Sequence, residues 1–312
     1  MMDYLFLVVG LLVLVAGGDW LLKSAVALSL RLRVPKIVIG LTVVSFATSA
    51  PELIVSVKSA LDGFPDLAVA NVVGSNIANL GLVLGITLML GSIEVTRTFY
   101  KTDWPVMMFA SLLLFGTSVF DGQISSSEGW MFFGLLGLFV WYIVKFQKTA
   151  VVDELPEDDL PLSLSKTWGY LLIGGVALWG GSELLVQSAV SIATALGVSD
   201  RIIGITVVSV GTSIPELAAS VIAVLKKEKS ISLGNLLGSN IFNVFAVLGI
   251  TAIISPIQIV DRSLVDQDMI WMLAFALVVL PLVFLPKGLR LNWRDGLVLL
   301  GMYGAFLYQT LG

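Results

Sequence analysis

The chain has no cysteine and no histidine. The first absence excludes disulfides, thiolate metal ligands and a cysteine nucleophile. The second excludes histidine bases, histidine proton relays and the usual zinc sites. No HExxH pattern is present either, so an intramembrane enzyme is not expected. A cation held by these side chains is held by oxygen, which suits hard ions such as Na⁺, Ca²⁺ or Mg²⁺. Charge is scarce as well: 13% of the 312 residues are Asp, Glu, Lys or Arg, against about 25% in a soluble domain. No polar interval exceeds roughly twenty residues, too little for a separate soluble domain. No cofactor, nucleic-acid partner or obligate protein partner is expected.

Apolar residues fill the space instead. The chain is 57% hydrophobic, with mean hydropathy +0.98, which predicts an all-α polytopic membrane protein in a lipid bilayer. The first apolar run, Tyr4 to Leu30, is too long for a signal-peptide core and has no basic segment before it, so it reads as a retained span. Stretches of about 20 apolar residues predict ten transmembrane helices, at 4–30, 36–60, 67–91, 104–120, 127–147, 166–196, 201–225, 231–254, 269–285 and 293–311.

The strongest pattern is an internal repeat. Ile39 to Thr87 and Ile203 to Thr251 align without a gap at a constant offset of 164. The match extends weakly upstream, where Asp19 meets Glu183. Residues 1–147 and 166–312 are therefore expected to be two five-helix repeats, joined by an acidic linker at 148–165. An odd number of spans per repeat makes the second enter from the opposite side, the inverted arrangement of many secondary transporters. Of the eighteen Lys and Arg, fourteen fall on the side reached after the odd-numbered spans and three on the other. The positive-inside bias puts the first side in the cytoplasm. Both termini and the opposite loops are then expected on the non-cytoplasmic side of the cell (plasma or inner) membrane.

Each repeat places one glutamate, Glu52 or Glu216, inside an apolar run, and an acid at membrane depth marks a functional site by default. Ser45, Thr48, Ser49, Glu52 and Ser56 recur at spacings of three and four, which makes one polar stripe on an otherwise apolar helix. Ser209, Thr212, Ser213, Glu216 and Ser220 repeat it. Asn71, Ser75 and Asn79, and Asn235, Ser239 and Asn243, run four apart on the following spans. A lone serine or threonine in such a helix bonds its own backbone, and a lone asparagine clasps a neighbour. Repetition beside two acids points to a site instead. Pro51 and Pro215 precede the glutamates, and a proline within a helix frees the carbonyl one turn back; carbonyls near Ser45, Thr48, Ser209 and Thr212 are candidate ligands. Asp19 has Lys23 four residues on, an ion pair by the ordinary reading, whereas Glu183 has Gln187 there.

The motifs ATSAPE (47–52) and GTSIPE (211–216), followed by ANVVGSN (70–76) and GNLLGSN (234–240), resemble those of the cation/calcium antiporter superfamily, and within it the prokaryotic sodium/calcium exchangers. The resemblance covers nearly the whole chain. It implies an ion site of Thr48, Ser49, Glu52, Ser75 and Asn79 from one half, and Thr212, Ser213, Glu216, Ser239 and Asn243 from the other, with the carbonyls of Ser45 and Ser209. It also implies that the first and sixth spans slide across the core, which suits the Gly17-Gly18 and Gly180-Gly181 pairs. Two departures stand out: Ala47 replaces the usual glycine, and Asn243 replaces an aspartate of some relatives, which removes one charge. The function implied is antiport of Ca²⁺ against Na⁺ by alternating access. The alternatives are a proton/calcium antiporter, whose usual GNxxE setting on the second and seventh spans is absent, and a cation channel, which builds its filter from oligomeric rings.

Overall fold

The computed structural model describes residues 2–147, 162–197, 211–285 and 288–311. In chain order the elements are α1 (Met2–Leu32), α2 (Lys36–Thr48), α3 (Ala50–Leu61), α4 (Pro65–Leu90), β1 (Ile93–Glu94), α5 (Phe99–Phe120), β2 (Gln123–Ile124), α6 (Ser126–Phe146), α7 (Leu164–Ala195), α8 (Ile214–Leu225), α9 (Lys229–Ile254), β3 (Ile257–Gln258), α10 (Leu264–Phe284), β4 (Arg290–Leu291) and α11 (Trp293–Leu311). Helices dominate because a backbone amide in hydrocarbon has no water to bond and satisfies itself by coiling.

Among the described residues, seven helices, α1, α4, α5, α6, α7, α9 and α10, are long and apolar enough to cross a membrane, and an eighth is gained if α2 and α3 form one bent span. Of the other expected spans, α8 is the described end of 201–225, whose residues 201–210 lie outside the described residues. Helix α11 spans 19 residues, but Arg294 and Asp295 at its start and Gln309 at its end dilute its hydropathy. Most of the acidic linker, 148–161, also lies outside the described residues.

Burial follows the inside-out pattern of a membrane protein. Leu12, Leu138, Leu172 and Val176 are exposed, while Ser45, Thr48, Glu52, Asn76, Asn79, Glu216 and Asn243 are buried. Lipid tails solvate leucine, so the interior is left for polar groups that satisfy one another. The apolar windows of α4 and α9 are 78% and 83% buried, against 28–33% for the other five long helices. These two most enclosed helices carry the asparagines.

The chain forms two compact units, each drawing on both halves of the sequence: Met1–Thr48 with Tyr142–Asn235, and Ser49–Trp141 with Leu236–Gly312. In the first unit, α1 packs on α7 at glycines. A Cβ on Gly10 would stand 2.9 Å from the Gly181 carbonyl oxygen, and one on Gly174 would stand 2.9 Å from the Gly17 oxygen and 2.7 Å from the Leu21 nitrogen. Residues 10 and 174, like 17 and 181, are one repeat apart, so these are one contact with the halves exchanged. Gly18 meets Ile222 of α8, whereas nothing lies within 4 Å of a Cβ at Gly180. Only the first of the two glycine pairs expected at this contact is therefore wholly used. We predict that Gly174→Ala forces α1 and α7 apart at a cost of about 1–3 kcal/mol, lowering the melting temperature by roughly 5 °C or more. Gly180→Ala is expected to leave it unchanged or raise it, because alanine is the better helix former. Fluorescence-detected thermal unfolding of the two variants checks this.

The second unit repeats the reciprocity. Strand β1 pairs antiparallel with β4, Ile93 opposite Leu291, and β2 with β3, Ile124 opposite Ile257. Gly85 of α4 abuts Gly296 of α11 as Gly249 of α9 abuts Gly129 of α6. The strand pairs are two residues each, and they tie helix ends that are remote in sequence.

Candidate functional site

The helix expected at 36–60 breaks at Ser49, and α2 and α3 meet at 45°. Ser49 has φ −86° and ψ 2°; Ser213, which precedes α8, has φ −88° and ψ 3°. The break explains how proline is tolerated. Pro51 and Pro215 fall in the first turn of a new helix, where an amide hydrogen would be unbonded anyway. Glu52 and Glu216 also fall in that first turn, where the positive end of the helix dipole favours a carboxylate. Both acids are fully buried.

In the first unit, the polar stripe of α2 turns toward α9. Ser45 Oγ donates to the Gly40 carbonyl (2.7 Å) and to the Asn235 carbonyl (2.9 Å). Thr48 Oγ1 donates to Asn235 Oδ1 at 3.1 Å, and Asn235 Nδ2 donates to Ser220 Oγ at 3.2 Å. The approach requires glycine: a Cβ on Gly40 would stand 2.6 Å from the Ile231 oxygen, and one on Gly234 2.5 Å from the Ile37 oxygen. The Ser45 hydroxyl proton is thus committed to backbone carbonyls, and the Ser45 carbonyl accepts from Thr48 Oγ1 at 3.4 Å. The Gly211 carbonyl, one turn before Pro215 and deprived of an amide partner by it, accepts from Ser182 Oγ of α7 at 3.0 Å. The buried Ser213 hydroxyl has no hydrogen-bond partner among the described residues, and Thr212 lies beside it, partly buried. Ser209 lies outside the described residues. Asp19 bonds Lys23 at 2.7 Å as expected, and also Lys226 at 2.8 Å, while Gln187 donates to Glu183 at 2.6 Å.

In the second unit, Asn71 Nδ2 donates to Ser56 Oγ (3.0 Å) and to the Glu52 carbonyl (3.3 Å). Asn71 and Asn235 therefore act as clasps. Four further asparagines form a reciprocal set between α4 and α9. Asn76 Nδ2 donates to the Asn240 carbonyl and Asn240 Nδ2 to the Asn76 carbonyl, each at 3.3 Å. A backbone carbonyl only accepts, so these bonds fix both amides and turn their Oδ1 atoms outward. Asn79 Nδ2 then donates to Asn240 Oδ1 (3.1 Å), and Asn243 Nδ2 to Asn76 Oδ1 (3.0 Å). What remains of Asn79 and Asn243 is one buried Oδ1 each, with no hydrogen-bond partner among the described residues. A buried amide oxygen of that kind is costly unless something positive meets it.

Both residues also open π-helical turns, Asn79–Val83 in α4 and Asn243–Leu248 in α9, a device common at functional sites. Ser75 and Ser239, one turn before them, are buried on the same helices. The structure thus gathers Ser49, Glu52, Ser75, Asn79, Ser239 and Asn243 in the second unit, and Ser45, Thr48, Thr212, Ser213 and Glu216 in the first. Sequence reasoning missed Asn76 and Asn240, the residues that orient the expected ligands. Their signal was present: each ends a GSN triplet, three residues before the expected ligand and on its helix face.

Comparison with known proteins identifies the family. The family model for "sodium/calcium exchanger protein" matches residues 2–145 and 166–312. The putative antiporter CaxA of Alkalimonas amylolytica is 37% identical over 97% of this chain and 97% of its own. The sodium/calcium exchanger MaX1 of Methanosarcina acetivorans is 30% identical over 98% and 97%. The solved structure of the sodium-calcium exchanger NCX_Mj soaked with Na⁺ and Ca²⁺ superposes with a TM-score of 0.82 at 26% identity, over 98% of this chain and 97% of that one. An all-helical membrane protein with two buried acids, each in the first turn of a helix, and matched over both halves by one family model, belongs to the sodium/calcium exchanger protein family.

Proposed function

We propose that this chain exchanges Ca²⁺ for Na⁺ across the cell membrane by alternating access. Its ten spans would be two inverted five-helix repeats, 1–147 and 166–312, around the acidic linker 148–165, with both termini on the non-cytoplasmic side. The ions are substrates. Their ligands would be Thr48, Ser49, Glu52, Ser75 and Asn79 with Thr212, Ser213, Glu216, Ser239 and Asn243, and the carbonyls of Ser45 and Ser209. The observation that carries the reading is the pair of amide oxygens on Asn79 and Asn243, buried and oriented by Asn240 and Asn76. Amide, hydroxyl and carboxylate oxygen together are the ligand set of a hard cation. The reciprocal glycine and strand contacts support inverted repeats, and the lysine and arginine bias supports the orientation.

The test is ⁴⁵Ca²⁺ uptake into proteoliposomes loaded with Na⁺, with K⁺, or with a pH gradient alone. Saturable uptake only from Na⁺-loaded vesicles is expected. Equal uptake driven by the pH gradient would make protons the counter-ion, and uptake that neither saturates nor needs a counter-ion would make the chain a channel.

The asparagine set gives a sharper prediction. Asn243→Leu keeps the branched shape but removes both the amide oxygen and the donor to Asn76 Oδ1. Loss of one such bond is worth about 1–1.5 kcal/mol, so apparent Ca²⁺ affinity is expected to fall roughly tenfold. In Asn243→Asp the new carboxyl faces Asn76 Oδ1, an acceptor. A third carboxylate at the proposed site favours additional monovalent cations, so the Na⁺ and K⁺ dependence of transport is expected to change. An unchanged cation dependence would reduce Asn243 to a helix clasp.

A further inference from the structure

A cavity of about 430 Å³ lies in the second unit where α4 ends and α11 begins. Its lining combines apolar Leu88 and Met89 with Ser92, Arg290, Trp293 and Arg294. Arg290 Nη2 donates to Ser92 Oγ at 2.8 Å, which anchors the guanidinium; among the described residues its other N–H groups have no hydrogen-bond partner. The Arg294 guanidinium stands 5.5 Å from the centre of the Trp293 ring, a cation–π contact that holds it beside the cavity. The carboxylate of Asp295 accepts from the Asn292 backbone N–H at 2.7 Å and attracts Arg294 through space, short of an ion-pair contact. Glu94 opposes Arg290 in the strand register, yet among the described residues the ion pairs within 4.0 Å involve neither arginine.

The repeat supplies an internal control. Strand β4 stands to α11 as β2 stands to α6, so Arg290, Trp293 and Arg294 correspond to Gln123, Ser126 and Ser127. The scaffold is built twice, and the two arginines and the indole are present once. The strand–helix scaffold is thus built once without them. They fall on the side that carries fourteen of the basic residues, at the ends of membrane helices, where tryptophan marks headgroup depth. Two open guanidiniums present paired donors to a phosphate, and the apolar floor suits the start of an acyl chain.

We propose that this cavity binds the phosphate of an anionic phospholipid headgroup. Inorganic phosphate shares the recognition chemistry, so the experiment has an arm for it. Native mass spectrometry of the purified full-length protein would follow binding of phosphatidylglycerol and of phosphatidylcholine, whose choline cation the arginines repel. Phosphatidylglycerol is expected to be retained at least fivefold better, about the effect of one basic residue near an anionic surface. Arg290→Gln with Arg294→Gln should bring that ratio close to one, while Arg33→Gln with Lys227→Gln, an equal charge loss outside the cavity, should leave it intact. Arg294→Gln alone, which keeps the Arg290–Ser92 bond, carries the test if the double variant fails to fold. Equal retention of the two lipids by wild type, or a phosphatidylglycerol preference that survives the cavity variants, would overturn the proposal. Displacement of phosphatidylglycerol by about 1 mM inorganic phosphate would overturn the lipid assignment in favour of a free anion.

Discussion

Glu52→Gln and Glu216→Gln are each expected to lower Ca²⁺ transport at least a hundredfold without unfolding the protein. Each carboxylate is fully buried and sits in the first turn of a helix that starts at a break. A desolvated divalent ion needs formal negative charge nearby, and the proposed ligand set contains only these two carboxylates. Removing one partner from a buried charge pair costs about 3–5 kcal/mol, which sets the hundredfold bound. Stability should move the other way. A buried carboxylate is expensive to keep charged, and the amide has nearly the same shape, so the melting temperature without Ca²⁺ should hold or rise. The check is ⁴⁵Ca²⁺ uptake alongside thermal unfolding. A folded variant that exchanges at the wild-type rate would remove that glutamate from the site.

The parts of this outcome legible in the sequence are those that depend on composition and repetition. Long apolar runs state where helices lie, because a lipid environment permits little else. The offset of 164 reappears as Gly10 against Gly181 and Gly174 against Gly17. The polar stripe of 45–56 was readable as a buried face, and Ser45, Thr48, Ser49, Glu52 and Ser56 are indeed buried. Asp19 and Lys23 pair as their spacing implies.

What the sequence concealed is local backbone geometry. Proline at 51 reads as a kink within a helix, whereas the chain stops at Ser49 and restarts, so that Glu52 gains a helix N-terminus. No residue preference announces the π turns at Asn79 and Asn243. The direction of an amide is equally invisible, because asparagine donates and accepts with similar groups. Here two backbone carbonyls decide it, and the decision passes from Asn76 and Asn240 to their neighbours. Gly180 shows the limit of reading glycine as a packing signal: a Cβ there would meet nothing within 4 Å.

Exchange is also expected to be electrogenic, with more than two Na⁺ per Ca²⁺. Each half offers hydroxyl, carboxylate and amide oxygens, and together they exceed the six to eight that one Ca²⁺ takes. The neutral oxygens of Asn79 and Asn243 add ligands without adding charge, which lets further monovalent ions bind. The energetics point the same way. A tenfold Na⁺ gradient supplies about 1.4 kcal/mol per ion, so two ions support roughly a hundredfold Ca²⁺ gradient and draw nothing from the membrane potential. Three ions supply about 4.1 kcal/mol, and the net charge moved adds about 2.3 kcal/mol per 100 mV. The total of roughly 6.4 kcal/mol corresponds to a Ca²⁺ ratio between 10⁴ and 10⁵, the scale extrusion requires. In Na⁺-loaded vesicles, Ca²⁺ entry against three Na⁺ moves one positive charge outward. An inside-positive potential set with valinomycin and external K⁺ should therefore raise uptake, and an inside-negative one should lower it. The final Ca²⁺ ratio should shift about fiftyfold per 100 mV. Uptake indifferent to the imposed voltage would establish two-for-one exchange in its place.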